Sequence, residues 1–527
     1  MSGLGLEKWV IWRQRHLLTP KLVFVALYIS LTSLNFGYDT SLFSSVQGMQ
    51  PFAKEFGEFD PESEIYVLPS YLSSIMNSTP FLGKLIGTLI SGPLMERYGR
   101  KVAVLAVALV SIVGVILQCA SFHVEQYTIG RILCYLATGI TISVVPTYQA
   151  ESTPAELRGA FVATLQFWIG VGQLIAAVIT NATYSMPGRE SWLIPTGVQF
   201  VVPVVLILGY PFVPESPRWL LWKDRREEAY RSLKDLRPKK TTEESLNVEI
   251  DLIAIADSMQ QKGTWRSLFQ GSNLRRTIIA IGSMFSQQIT GQAFVNQYQV
   301  VFLQTQGITS PSPFMFNIIN TATNFVSSIA VILIIDSFGR RPILTVGSFF
   351  ISLWLFVLGA LGSVSDHQEL NKSQKNGIIA CLLLFNKSYY LSWAPLAYVI
   401  MGEVSTNHLR EKTTLLATSI SVVTTFVTSF TVPYLVNAPY AHLGAKVGYV
   451  YGSISVCTLF FAIFYVPELK NRSLEELDEM FDAKLSVFQF RKYQSHGIGK
   501  QIQEAERGSV KGVATSIYAQ EIESSRV

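Results

Sequence analysis

The chain has 527 residues, 49% of them hydrophobic and only 15% charged, with a mean hydropathy of +0.32. A charged fraction this far below the roughly 25% of soluble domains excludes a soluble globular protein. At about 20 residues per bilayer crossing the length holds about a dozen crossings. The net charge of +5 lies in short basic clusters between apolar runs, which marks membrane topology and not nucleic-acid binding.

The first apolar run, from Leu22, follows Lys8, Arg13, Arg15 and Lys21. It is too long for a signal-peptide core and lacks a small-residue cleavage site, so it reads as a first span preceded by a cytosolic segment, 1–21. Six runs at 22–45, 69–90, 102–120, 127–146, 160–180 and 192–213 make an N-terminal bundle, 22–213. A hydrophilic stretch, 214–276, follows; the i, i+4 charge pattern of 223–257 predicts short surface helices in a cytosolic linker. Six more runs at 277–302, 314–335, 343–364, 377–402, 413–436 and 447–466 make a C-terminal bundle, 277–466. A cytosolic tail, 467–527, opens with the acidic SLEELDEMF. The expected fold is an all-α integral membrane protein with twelve transmembrane helices in two six-helix bundles.

Basic residues assign the sides. Arg97, Arg100 and Lys101, the linker, Arg340 and Arg341, and Arg410 and Lys412 share one face, predicted to be cytoplasmic along with both termini. The opposite face opens with an acidic loop holding Glu55, Glu58, Asp60, Glu62 and Glu64, and carries sequons at Asn181 and Asn371 suited to glycosylation. Cys119, Cys134, Cys381 and Cys457 sit in or beside apolar runs without a disulfide or zinc spacing, and read as packing residues.

The halves repeat each other. GPLMERYGRK ends at Lys101 and has a counterpart in DSFGRRP, with Gly99 and Gly339 separated by 240 positions. Glu151 and Arg158 match Glu403 and Arg410 at an interval of 252, and Pro214-Glu215 matches Pro467-Glu468 at 253. Three correspondences in one order at nearly one interval argue for a duplicated unit, with a substrate site between the copies.

At these motifs the chain resembles the sugar porter family of the major facilitator superfamily, and fungal members in particular. The resemblance rests on FGYDT at 36–40, GPLMERYGRK at 92–101, Gly130-Arg131, ESTPAELRG at 151–159, PESPRWLL at 214–221, QQITG at 287–291, DSFGRRP at 336–342, SWAP at 392–395 and PELKNRSLEELDEMF at 467–481. It implies the major facilitator fold and transport by alternating access. It also implies a latch built from Glu96, Arg97, Arg100, Glu151, Arg158, Asp336, Arg340, Glu403 and Arg410, whose ion pairs break at modest cost because each group returns to water. Static capping of helix ends would leave the same residues. Ser337 stands where the first copy has Arg97, which weakens the second latch.

A sugar site needs amides that both donate and accept, with aromatic faces for the ring. The resemblance puts Gln166, Gln287, Gln288, Asn324, Trp393 and Tyr398 on substrate-contacting positions; helix-to-helix hydrogen bonding is the other use for such amides. Two expected amides are missing, since Ala293 stands where the family has Asn and ATSISVVTT supplies only hydroxyls. Together with Tyr398 and the following LREKT, this points to a disaccharide or a modified sugar.

Asp39 is the one acid placed deep in a span, and there it must be neutralised by a proton or a facing cation. Arg131 is the expected partner, and in family members such a pair links proton movement to transport, although some facilitators share both positions. Lys84 and Lys387 depart from the family's small residues, and Lys84 is expected to snorkel toward the cytoplasm. One negative and three positive charges in the spans also suit an anionic sugar acid. No HExxH, phosphate loop or G-x-S-x-G elbow supports an enzyme, and no cofactor is implied beyond a proton gradient as driving force. The expected activity is proton-coupled import of a di- or modified saccharide at the plasma membrane, with sugar, protons and lipid as partners. A facilitated-diffusion hexose carrier, a sugar-acid carrier and a non-transporting sugar sensor are the alternatives.

Overall fold

The computed structural model describes residues 18–493, apart from 62–63, 154, 239–240, 260–262, 309, 365–369, 438–439, 471, 473 and 491–492. Helices are numbered in chain order. The first half holds α1 (Pro20–Val46), α2 (Gln50–Phe56), α3 (Ser70–Ser78), α4 (Pro80–Tyr98), α5 (Arg100–Cys119), α6 (Val124–Ser152), α7 (Ala155–Thr183), α8 (Glu190–Val198) and α9 (Val201–Gly209). A two-stranded antiparallel ribbon, β1 (Glu58–Asp60) with β2 (Ile65–Val67), pairs Phe59 with Tyr66 between α2 and α3. The linker folds as α10 (Pro217–Trp222), α11 (Arg226–Leu236) and α12 (Glu243–Met259), as the charge pattern predicted. The second half holds α13 (Gly271–Ile289), α14 (Gln292–Gln297), α15 (Gln299–Thr305), α16 (Pro313–Phe338), α17 (Arg340–Val364), α18 (Lys372–Tyr390), α19 (Trp393–Val404), α20 (Arg410–Val436) and α21 (Val447–Phe464). The acidic tail segment is α22 (Leu474–Asp482).

Among the described residues nine helical stretches are long and apolar enough to cross a bilayer, and they coincide with nine of the twelve apolar runs. The other three runs, 69–90, 277–302 and 377–402, are each divided. The first divides at Thr79-Pro80, the second at Thr290-Gly291 and Tyr298, and the third at Leu391-Ser392. These runs carry Lys84, Gln287-Gln288 and Lys387; the 192–213 run also divides, at Gln199-Phe200 between α8 and α9. The 277–302 run also starts earlier than expected, at Gly271, because Gln270 in extended conformation begins the helix ahead of Arg275 and Arg276.

Each half has its own core. Val104, Ala108, Val144 and Tyr148 belong to the first, and Phe294, Leu355, Phe385 and Trp393 to the second. On the outside, Leu82, Ile86, Leu89 and Ile90 on α4 and Phe349, Phe350, Leu353 and Val357 on α17 are exposed at helical spacing. Water would penalise apolar stripes of this extent, whereas lipid covers them. Cys134 and Cys381 are buried as expected, but Cys457 is exposed on such a surface; all four thiols are free.

Close helix contact depends on missing side chains. A Cβ at Gly37 would strike the Ile169 carbonyl, and one at Gly172 the Leu34 carbonyl, so α1 and α7 meet backbone to backbone. Gly87 and Gly139 do the same for α4 and α6. Replacing Gly139 with Val is expected to cost about 1–3 kcal/mol by overpacking and to lower the melting temperature of the purified protein. An unchanged melting temperature would show that α4 and α6 have room to part.

Candidate functional site

The sequence repeat is a repeat in space. Gly99 (φ +96°) and Gly339 (φ +92°) turn the chain in the left-handed region, where a side chain is strained. A carboxylate lies against each. Glu215 accepts the backbone N–H groups of Arg100 (2.9 Å) and Lys101 (3.1 Å), and Glu468 those of Arg340 (3.0 Å) and Arg341 (3.3 Å). Both acids therefore sit at a helix N-terminus, on the positive end of its dipole. Burial pushes the Glu215 carboxyl up, and the N–H bonds from Ser216, Arg100 and Lys101 pull it back.

From the same turns Arg100 reaches Glu151 (2.6 Å) and Arg340 reaches Glu403 (2.8 Å), while Ser216 donates to Glu151 (2.5 Å). Each of these ion pairs stays within one half. Trp219 donates to the Glu96 carbonyl (3.0 Å), Arg97 lies over the Tyr98 ring (5.3 Å), and Arg410 opens α20. The side chains of Arg158 and Asp336 fall outside the described residues.

At the opposite end the halves are joined. Gln47 donates to the Gln297 carbonyl (2.7 Å), Gln304 to the Gly48 carbonyl (2.9 Å), Asn317 to Ser45 (3.0 Å) and Asn437 to Ser70 (3.2 Å). Tyr184 stacks on Phe314 at 4.3 Å between ring centres. Behind Asn317 the contacts continue inward: Gln299 donates to Asn317 (2.5 Å) and Asn320 to Gln299 (2.9 Å). Asn317, Asn320 and Asn324 recur at three and four residues and share one face of α16. That periodicity is visible in the sequence, where the family resemblance marks only Asn324. Of the two sequons, Asn371 is exposed and its backbone N–H donates to Gln374, and Asn181 lies half-buried in the last turns of α7.

The predicted substrate residues divide into two groups. Gln287 and Trp393 are committed to structure. Gln287 donates to the Trp393 (3.2 Å) and Ala394 (2.8 Å) carbonyls, and the fully buried Trp393 donates to Ser348 (2.8 Å). By contrast, Gln166 is half-buried with its amide unbonded among the described residues. Gln288 donates to Gln287 (3.0 Å) and leaves its own acceptor unused among the described residues, and Tyr398 is 40% exposed. Asn324 accepts from Lys387 (2.7 Å) and leaves its amide N–H groups unused among the described residues. Asn324 lies two turns along the same face of α16 as Asn317, which bonds Ser45 of the other half, and the next residue, Phe325, packs on Phe167 of α7 (5.1 Å).

The buried charges differ from expectation. Asp39 and Arg131 are both buried but form no direct ion pair. Arg131 donates to the Met76 carbonyl and stacks on Phe43 (3.8 Å), so a ring face and a carbonyl occupy it in place of the acid. Asp39 accepts from Gln199 (3.4 Å), and its second oxygen is buried without a partner. Lys84 does not snorkel; its ammonium lies over the Phe36 ring (4.8 Å). Lys387 sits in the last turn of α18, where the helix dipole favours a cation.

A family model described as Sugar (and other) transporter matches residues 25–481. The chain belongs to that family. Over 466 residues it is 28% identical to the high-affinity glucose transporter ght2 of Schizosaccharomyces pombe, covering 86% of each chain. It is 29% identical over 509 residues to the high-affinity gluconate transporter ght3 of the same yeast, covering 93% of this chain and 90% of that one. Among solved structures, the inward-open xylose transporter XylE from E. coli superposes with a TM-score of 0.70 at 21% identity, over 87% of this chain and 99% of that one. The protein is thus a multi-pass membrane transporter of the sugar porter family with the major facilitator fold, and its family is one of transporters, not enzymes.

The closed end is testable in a transporter. A Cβ built at Gly48 lies 2.9 Å from Val300 Cγ1, so cysteines at the two positions have Cβ atoms in the roughly 3.5–4.5 Å window of a disulfide. Oxidised Gly48→Cys/Val300→Cys is expected to lose most uptake and regain it on reduction, with each single variant unaffected by oxidant. Full uptake by the cross-linked double variant would show that this end does not need to open.

Proposed function

We propose that this sugar porter imports a modified saccharide across the plasma membrane together with a proton. The end bearing the ion pairs faces the cytoplasm, as do both termini, and the sequons face outward. The carrying observation is that four described hydrogen bonds between halves lie at the end opposite the ion pairs, while Gln166, Gln288 and Asn324 keep polar groups unused among the described residues. A pair of related bundles closed at one end around polar groups is one state of an alternating-access cycle. On this reading the conformation is the inward-facing one, and the Arg100–Glu151 and Arg340–Glu403 pairs are halves of a latch that meets when the cytoplasmic end closes.

Support for a modified sugar comes from the departures around the pocket. Ala293 is fully buried and offers no polar atom, and the polar groups of α20 here are the hydroxyls of Thr418, Ser421, Thr424 and Thr425. A hydroxyl is a smaller group than an amide and leaves space for a substituent on the ring. The relatives named for glucose and for gluconate are equally distant in sequence, so family membership does not choose between neutral and charged sugars.

Support for proton coupling comes from Asp39. An ionised carboxylate with one buried, unpartnered oxygen is costly inside a membrane, and a proton removes that cost. Release follows when a conformational change brings Arg131 off Phe43 and onto the acid. In a host lacking its own sugar carriers, uptake of labelled sugars is expected to alkalinise the medium and to strengthen as external pH falls. Asp39→Asn is expected to abolish both the alkalinisation and accumulation above the external concentration, while exchange of sugar down its gradient persists. Accumulation by Asp39→Asn would remove the coupling role, and signalling without any uptake would replace transport by sensing.

A further inference from the structure

Among the described residues Lys387 is the cation in the spans whose ammonium is held by a side-chain amide. Arg131 spends its charge on a carbonyl and two ring faces, those of Phe43 and Tyr135, and Lys84 lies over Phe36 and Phe81. The Lys387 ammonium has only neutral acceptors, Asn324 Oδ1 at 2.7 Å and the Asn320 carbonyl at 3.4 Å. Three N–H bonds radiate from an ammonium, so one is left over, and among the described residues no carboxylate is in ion-pair contact with it. A lysine kept for structure alone inside a membrane normally faces an acid; this one faces an amide whose own donors are unused.

The surroundings are those of a binding position. Asn324 is on the α16 face that meets the other half through Asn317, and lies 11 residues from Pro313 and 14 from Phe338, about 16 and 21 Å from the two ends of α16 at 1.5 Å per residue. The ammonium is therefore at mid-depth beside the break that separates α18 from α19. Asn320, which accepts from Lys387 through its backbone, is buried and has an amide oxygen with no partner.

We infer that Lys387 and Asn324 form a carboxylate subsite, and that the substrate is a polyhydroxylated monocarboxylate such as an aldonate or uronate. Lys387 Nζ supplies charge and one N–H, and Asn324 Nδ2 supplies a second donor, so that the two oxygens of a carboxylate each find a partner. The remaining hydroxyls fall to Gln288 and Gln166. A neutral sugar accepts the same hydrogen bonds but leaves the ammonium without a counter-charge in a medium of low dielectric, which is the source of selectivity. The assignment rests on the proposed substrate site at the seam, but not on whether transport occurs or is proton-coupled.

The test is equilibrium binding to the full-length protein in lipid nanodiscs, with D-gluconate and D-galacturonate as acids and D-glucose and cellobiose as neutral probes. The wild-type protein is expected to bind one acid at least about 10-fold more tightly than either neutral sugar. Lys387→Gln is expected to lose at least about 10-fold in affinity for that acid, and Lys387→Arg to retain most of it. Tighter binding of a neutral sugar, absence of acid binding, or an acid affinity indifferent to Lys387→Gln overturns the assignment. The wild-type comparison decides the matter even where a variant fails to fold. Acid binding without cellular uptake would leave the subsite standing and sink the transport reading; uptake of neutral sugar with no acid binding would do the reverse.

Discussion

Hydrocarbon offers no hydrogen bonds, so every interruption of a membrane helix must be covered by the protein itself. Gln287 meets that requirement for two interruptions together. It belongs to the last turn of α13, just before the break at Thr290-Gly291, and its amide reaches the first residues of α19, just after the break at Leu391-Ser392. Trp393, the residue it holds, is anchored from the other side by Ser348 on α17. Three helices are thus fixed around the point where two of them are discontinuous. Gln288 adjoins the first of these breaks and Lys387 the second, and each keeps bonding capacity unused among the described residues.

The two ends of the molecule use different chemistry. Toward the GR turns the groups are charged and largely buried: Glu215 and Glu468 are held by backbone N–H groups of the turns, and Glu151 and Glu403 by Arg100 and Arg340. Both ion pairs lie within one half, so parting the halves breaks neither. The opposite end closes with neutral amides and hydroxyls. Four bonds at a net ~0.5–1.5 kcal/mol each sum to a few kcal/mol, the size of a bias between two conformations that must both be populated. A charged closure buried under the aromatic cluster of Phe52, Phe56, Tyr127 and Trp192 would be far harder to reverse.

Much of this was legible in the sequence, and the reason is the bilayer. Hydropathy locates spans well because lipid forces helices, and the duplicated motifs mark their ends: Gly99 and Gly339, Glu215 and Glu468, and Glu151 and Glu403 all occupy matching places. Side-chain direction was not legible. Asp39 and Arg131 lie on neighbouring helices, but a guanidinium chooses among an acid, a carbonyl and two rings by geometry that spacing does not report, and here the carbonyl and rings hold it. Trp393 and Gln287 sit on positions a family resemblance assigns to substrate, yet their polar atoms are consumed within the protein. Lys387 stood out as a departure, while its partner Asn324 was chosen separately; only packing of α18 on α16 joins them.

The amides that close the far end also continue inward without a gap. Lys387 donates to Asn320, Asn320 to Gln299, Gln299 to Asn317, and Asn317 across the seam to Ser45. Gln299 and Asn317 each use the amide oxygen for one neighbour and the nitrogen for the next, so the orientation of one side chain constrains the other. The final link exists only while the halves are closed at that end. When they part, Asn317 and Ser45 face an opening that admits water, which satisfies both, whereas apolar surfaces in that position would gain by staying together. The last link of the chain is therefore satisfied in either state, and that is why an amide, which costs a buried helix more than a leucine does, occupies the α16 face that looks toward α1.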